Sequence, residues 1–297
     1  MRSMLFVPGD SARKQEKCLQ SRADALILDL EDSVALPAKA KAREMTLAFL
    51  QSQVPQASRP LLYVRVNALD SGLTDEDLAS VMPGKPDGIV VPKAKGGKDL
   101  AEISQRLSLH EARNGIPDGS TKILPVATET AGAVLALPTV PGSTTRMSGL
   151  TWGGEDLAAD IGAEANHDDT GAYTSIYILT RSMALLTAVA SGVQPIETAF
   201  TNYVDSDAFA ADCLVARRDG FTGRIAIHPN QVDVINDIFT PSEPAVRRAT
   251  AIIDAFAANP GMGVVGMDGE MIDMPHLRQA ERIMQRYKAI LELSNRR

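Results

Sequence analysis

The sequence predicts a (β/α)8 barrel followed by a C-terminal helical extension, and three observations predict it. Eight short apolar runs, many rich in β-branched residues, recur near 3–8, 25–30, 61–67, 88–92, 122–128, 147–152, 196–202 and 223–228. Most are separated by a stretch with apolar residues at helical spacing, and strands alternating with helices build a parallel sheet. Charged residues also keep falling where an apolar run gives way to a helix-like segment. In a barrel of parallel strands those positions meet on one face.

The elements follow in order. The first run ends in Pro8-Gly9-Asp10-Ser11, which is not the G-x-G-x-x-G that a doubly wound dinucleotide-binding sheet would want at this point. Arg13, Lys14 and Lys17 follow as a local basic patch, sufficient for a cofactor phosphate. Ala25-Leu-Ile-Leu-Asp-Leu30 leads into Glu31 and Asp32, and Leu61-Leu-Tyr-Val-Arg-Val-Asn67 carries Arg65 inside the strand pattern. Gly88-Ile-Val-Val-Pro-Lys93 ends on a lysine, with Lys95 and Lys98 flanking Gly96-Gly97 as a second basic patch. Lys122-Ile-Leu-Pro-Val-Ala-Thr128 precedes Glu129, and Leu150-Thr-Trp-Gly-Gly-Glu155 precedes Asp156. Helical stretches are expected at 38–51, 75–81, 100–111, 131–137, 176–190 and 205–218. Residues 1–239 then form the barrel and 240–297 an extension. Ser242 suits an N-cap for a helix over 245–257, a glycine-rich turn segment spans 259–269, and a last helix is expected from about His276 to Leu293. Such a lid suits packing on a neighbouring subunit.

Composition narrows the function classes. A length of 297 residues with 44% hydrophobic content supports a large core. A net charge of −7 argues against broad nucleic-acid binding. No apolar run reaches the roughly 18 residues of a membrane span, and the first residues lack a signal-peptide apolar region, so a cytoplasmic protein is expected. Cys18 and Cys213 have no partner at metal-ligand spacing and read as buried apolar residues. Neither an H-x-x-x-H pattern nor a G-x-S-x-G elbow occurs.

Carboxylates and an arginine on one barrel face suggest a magnesium site for an anionic substrate. Mg2+ takes oxygen ligands, commonly one or two carboxylates with water or substrate completing the shell, and Glu129 and Asp156 suit that role, with Gly153-Gly154 permitting close approach. Both also suit a helix amino terminus. Arg65 in a strand needs a carboxylate or a bound anion, and Glu31 and Asp32 could orient it. Lys93 at a strand end fits either a Schiff-base nucleophile or a phosphate contact, and His228 in Ala226-Ile-His-Pro-Asn230 sits at the last strand's end, placed to orient the site.

The chain resembles the citrate lyase beta-subunit-like group of the HpcH/HpaI aldolase superfamily. The resemblance rests on Arg2-Ser-Met-Leu-Phe-Val-Pro-Gly9, Leu28-Asp-Leu-Glu-Asp-Ser-Val34, Val64-Arg-Val-Asn67, Val91-Pro-Lys93, Glu129-Thr130, Gly154-Glu-Asp-Leu157 and Ala226-Ile-His-Pro-Asn-Gln231, in that order. It implies a trimer or hexamer of barrels that binds Mg2+ through Glu129 and Asp156. It also implies an arginine, Arg65, that engages the small substrate. Met271-Ile-Asp-Met-Pro275 is similar to an element that supplies an acid/base aspartate to a neighbouring site in coenzyme A-dependent relatives, which assigns that role to Asp273. Glu31, Asp32, Lys14 and Lys93 complete the expected substrate-binding set. The loop Pro92-Lys-Ala-Lys-Gly-Gly97 departs from the group's usual continuation. The implied reaction is reversible cleavage of a 3-hydroxyacyl-CoA of the malyl or citramalyl type into acetyl-CoA and a 2-oxo acid. Three rivals stand beside it: hydrolysis of malyl-CoA at the same site, a Schiff-base aldolase using Lys93, and a citrate lyase subunit acting on an acyl-carrier protein.

Overall fold

The computed structural model describes residues 1–56 and 58–295. Its barrel runs β1 (Ser3–Pro8), α1 (Ala12–Cys18), β2 (Ala25–Asp29), α2 (Lys39–Gln53), β3 (Leu61–Arg65), α3 (Thr74–Val81), β4 (Gly88–Val91), α4 (Gly97–Asn114) and β5 (Lys122–Pro125). It continues through α5 (Ala131–Ala136), β6 (Gly149–Thr151), α6 (Glu155–Ile161), α7 (Ser175–Ala190), β7 (Gln194–Glu197), α8 (Ser206–Asp219), β8 (Gly223–Ala226) and α9 (Asn230–Phe239). The sheet order is β5-β4-β3-β2-β1-β8-β7-β6, parallel at every ladder. Short bridges bring the two edges together. Ile123 pairs with Met147 and Val126 with Thr151, and the Ala127 N–H donates to the Thr151 carbonyl at 3.0 Å, giving a nearly closed barrel.

The two-residue period of a strand sorts its side chains into two cores. Met4, Ile27, Tyr63, Val90, Leu124, Ile196 and Ile225 fill the barrel interior. Their neighbours Leu5, Leu26, Leu28, Val64, Ile89, Ile123 and Leu150 face the helices. At the amino ends of the strands, charges are paired. Arg2 meets Asp24 at 2.8 Å and Arg59 meets Asp87 at 2.5 Å. Buried Arg146 meets buried Glu111 at 2.7 Å, and Glu111 also accepts the Gly119 and Thr121 N–H groups at 2.9 and 2.8 Å. Burial alone would raise the Glu111 pKa, but these donors hold it down at about 2.

The seventh strand is shorter and earlier than the run 196–202 suggests: β7 ends at Glu197. The apolar residues beyond it serve helix packing, with Phe200 against Phe209 of α8 at 5.5 Å between ring centroids. Beyond α9 come α10 (Glu243–Ala258), β9 (Val264–Met267), β10 (Glu270–Asp273) and α11 (Met274–Asn295). Ser242 caps α10, accepting the Ala245 N–H. The glycine-rich segment is a hairpin, not a plain turn. Asp268 and Gly269 have φ of 51° and 79°, the left-handed pair that a two-residue antiparallel turn requires. Ala249, Ile252, Phe256, Val265, Ile272 and Ala280 form this extension's own apolar cluster. Cys18 and Cys213 are buried and unbridged. Among the described residues no helix is long and apolar enough to cross a membrane.

Candidate active site

The β2–β3 register sets Asp29 beside Arg65. Arg65 donates from Nε and Nη2 to the two Asp29 oxygens at 2.7 and 2.8 Å, a fork-on-fork contact that fixes the guanidinium plane. Asp29 is itself tied down by the Glu31 and Ser33 N–H groups at 2.9 and 3.1 Å. Burial would raise its pKa, but Arg65 outweighs that and keeps it lowered. Phe6 of β1 lies under the guanidinium, 4.5 Å from its carbon. Glu31 Oε2 is 3.0 Å from Arg65 Nη1, yet it is buried without an aligned hydrogen-bond donor. A guanidinium carries five N–H groups, so Arg65 keeps donors for a ligand after satisfying Asp29.

Lys93 follows β4 with φ of 51°, a left-handed backbone that turns its N–H onto the Glu129 carboxylate. Its ammonium reaches Glu31, lies 3.2 Å from Asp32 and 3.5 Å from Asp156. Burial works against the charge, but the Glu31 hydrogen bond and the surrounding carboxylates raise the Lys93 pKa above its ordinary value. A Schiff-base nucleophile must be a neutral amine at work, so this environment opposes that rival. Lys39 supports the cluster from behind, donating to the Leu30 and Glu31 carbonyls at 2.7 and 2.8 Å and to Asn67 at 2.7 Å.

Glu129 stands between β5 and α5, ahead of Thr130, which caps α5 by accepting the Ala133 N–H at 3.1 Å. It is 3% exposed. Gly153 passes so close that a Cβ there would sit 2.7 Å from Glu129 Cγ. Any larger residue would displace the carboxylate. Burial raises the Glu129 pKa to about 8; Asp156 and Glu31 push the same way, against the Lys93 N–H. Asp156 in the first turn of α6 is 37% exposed. Behind it, Trp152 donates to Glu197, which Arg181 holds at 2.7 Å.

Asp29, Arg65, Glu129 and Asp156 share the walls of a cavity of about 600 Å³ with Lys14, Lys17, Trp152, Tyr173 and His228. Of the sequence-derived set, Arg65, Glu31, Asp32, Lys93, Glu129 and Asp156 therefore converge, and Lys14 joins them from α1. One assignment changes: Asp32 faces Lys93, and Asp29 rather than Asp32 orients Arg65. Asp29 was readable as an acidic residue in an apolar strand, in register with a strand arginine. Lys39 and Glu197 leave no comparable mark. His228 stacks on Tyr203 at 4.9 Å and meets Asn230 at 2.6 Å. Asp273 ends β10, 2.5 Å from His276, and is not among this chain's cavity walls.

The donor set fits a hard divalent cation. Glu129 is a buried carboxylate that no lysine or arginine side chain pairs with among the described residues, and Asp156 lines the same cavity. Two carboxylates without histidine or cysteine suit Mg2+, which keeps water or substrate oxygens in its remaining positions. No cage of three or more His, Cys, Asp or Glu side chains exists among the described residues.

Known proteins resemble this chain over nearly its whole length. A family model described as HpcH/HpaI aldolase/citrate lyase matches residues 2–229. Citrate lyase subunit beta of Escherichia coli K12 is 31% identical over 96% of this chain and 92% of its own length. The mitochondrial citramalyl-CoA lyase of Rattus norvegicus is 31% identical over 98% and 87%, and a (3S)-malyl-CoA thioesterase of Cereibacter sphaeroides 30% over 97% and 95%. Among solved structures, protein CitE from Mycobacterium tuberculosis in complex with magnesium, acetoacetate and coenzyme A superposes with a TM-score of 0.75, at 26% identity over 97% of this chain and 98% of that one.

Proposed function

The chain belongs to the HpcH/HpaI aldolase/citrate lyase family, a family of lyases, and from that premise we propose a Mg2+-dependent carbon–carbon lyase acting on a 3-hydroxyacyl-CoA. The products are acetyl-CoA and a 2-oxo acid. The observation that carries this reading is the buried Glu129, with no lysine or arginine side chain paired to it among the described residues, beside Asp156 in the cavity that Arg65 also lines. Complexes of the Mycobacterium tuberculosis CitE with magnesium, acetoacetate and coenzyme A and with magnesium and pyruvate support it.

Glu129 and Asp156 would hold the ion, whose positive charge, when bound, stabilises negative charge on the oxygens of the oxo-acid half. Arg65, its plane fixed by Asp29, turns its remaining N–H groups to the carboxylate of the same half, orienting it before and after scission. Lys93 keeps Glu31 and Asp32 neutralised, so the wall does not repel an anionic substrate. Lys14 and Lys17 line the cavity on the side of α1, suited to the phosphates of coenzyme A. In the cleavage direction the substrate hydroxyl loses its proton and becomes the carbonyl. The carbon–carbon electron pair moves to the thioester α-carbon, which then takes up a proton. Asp273 is assigned as the acid/base, supplied by a neighbouring subunit of a trimer or hexamer, on the resemblance of Met271-Ile-Asp-Met-Pro275 to the element that plays this part in coenzyme A-dependent relatives.

A malyl-CoA thioesterase is the second reading, favoured by the C. sphaeroides relative. One assay separates them. Malyl-, citramalyl-, methylmalyl- and citryl-CoA are offered with Mg2+ while free thiol and oxo acid are followed separately. Oxo acid without free thiol is expected; thiol without oxo acid would replace the lyase reading with hydrolysis.

A further inference from the structure

At the end of the barrel opposite the active site, the amino ends of β7 and β8 and the residues before β1 frame a second hollow of about 770 Å³, flanked by α11 and the first turn of α10. Its charge is one-sided. Arg217 and Arg218 enter from the end of α8, Arg282 and Arg286 from α11, and no Asp or Glu is among its described walls. Arg2 lines it too, but Arg2 is spoken for by Asp24. None of the other four forms an ion pair among the described residues. Arg217 donates to the Ile238 carbonyl at 3.1 Å, and Arg286 has a buried Nε with no acceptor.

Such a gathering is unfavourable on its own. Guanidinium groups held close repel one another, and a buried N–H without an acceptor carries its full desolvation cost. The strain registers on Arg286, whose pKa is lowered by burial and by the charge of Arg217. The chain has 37 acidic residues and a net charge of −7, so counter-charge is plentiful elsewhere and absent here. The amino terminus of α10, at Ser242 and Ala245, opens on the same space and adds the positive end of a helix dipole. Several guanidinium forks around one hollow match the oxygens of a phosphate chain better than a single carboxylate, which would compensate only one of them. Val189, Val193, Ile283 and Ile290 supply an apolar wall beside them.

We infer that this hollow binds a small anion in which a di- or triphosphate chain is joined to a flat or apolar carrier, a ligand of nucleotide size, at a site separate from the catalytic cavity.

The test is calorimetric titration of the full chain with ADP and with pyrophosphate, in EDTA and at matched ionic strength. Both should bind saturably at this hollow, ADP the tighter because only it can use the apolar wall. Arg218→Gln/Arg282→Gln alters two exposed side chains and should weaken ADP roughly tenfold or more for each arginine removed, while Arg286→Gln should weaken it with an unchanged circular dichroism spectrum. Lys14→Gln, in the catalytic cavity, should leave ADP affinity unchanged. The inference is overturned if ADP gives no saturable binding, if both arginine variants bind it as the wild type does, or if Lys14→Gln abolishes the binding.

Discussion

The two ends of this barrel both bury charge, but they balance it differently. At the amino end three buried or half-buried carboxylates each have an arginine: Asp24 with Arg2, Asp87 with Arg59, Glu111 with Arg146. At the carboxyl end Asp29, Glu31, Asp32 and Asp156 share Arg65 and Lys93, and no lysine or arginine side chain forms an ion pair with Glu129 among the described residues. The closed account is architectural, a set of clamps fixing loop backbone under the strands. The open account leaves negative charge in a cavity, and that is the property a cation-dependent site needs. Buried ion pairs by themselves say little about function; the difference between the two ends says more.

Neutralising one residue at each end separates the two most forcefully. Glu129→Gln should lower turnover by roughly 10²–10³-fold or more, the scale of losing a preorganised electrostatic contact, while thermal unfolding shows a fold as stable as the wild type. Arg65→Ala should lose activity on a similar scale. Arg146→Ala should do the opposite. It strands buried Glu111 and should cost about 3–5 kcal/mol in denaturant unfolding, with the surviving folded fraction turning over normally. Equal stability losses at both ends would erase the distinction.

The pH dependence sharpens it. Glu111 has a folded pKa depressed to about 2 from an ordinary 4.5, so its contribution to stability is full above about 4.5 and drains away as the pH falls through 2. Acid unfolding followed by circular dichroism should show that slope between those values, and Glu111→Gln should flatten it. The smallest expected effect is at the rim, where Lys95 and Asp70 form an exposed pair at 2.6 Å. Lys95→Ala should change stability by less than about 1 kcal/mol and leave turnover intact.

Much of the carboxyl end was legible because a parallel barrel converts sequence position into spatial position: an acidic residue just past an apolar run lands on that face whatever the packing. Glu129, Asp156, Glu31 and Lys93 were found that way. The amino end was less legible, since Glu111 sits in the middle of a helix and Arg146 in a loop, with nothing local to link them. Asp29 fell between the two cases, its signal lying in the register with Arg65 and not in either segment alone. The hairpin at Asp268-Gly269 was written in a familiar turn dipeptide but hidden by its glycine-rich surroundings. The length of β7 was not readable, because Phe200 looks the same in a strand as in a loop that packs on α8. Asp273 is a different case: its proposed role was legible only through the resemblance of Met271-Ile-Asp-Met-Pro275, and the residue lies outside this chain's own cavity walls.

Glu129 and Asp156, at the strands' carboxyl ends, are proposed to form a divalent-cation site. Calorimetric titration of EDTA-stripped protein with Mg2+, in the presence of saturating pyruvate, tests it most directly. One ion per chain should bind to the wild type and to Glu111→Gln, and binding should vanish in Glu129→Gln. An undiminished Mg2+ isotherm in Glu129→Gln would contradict the account.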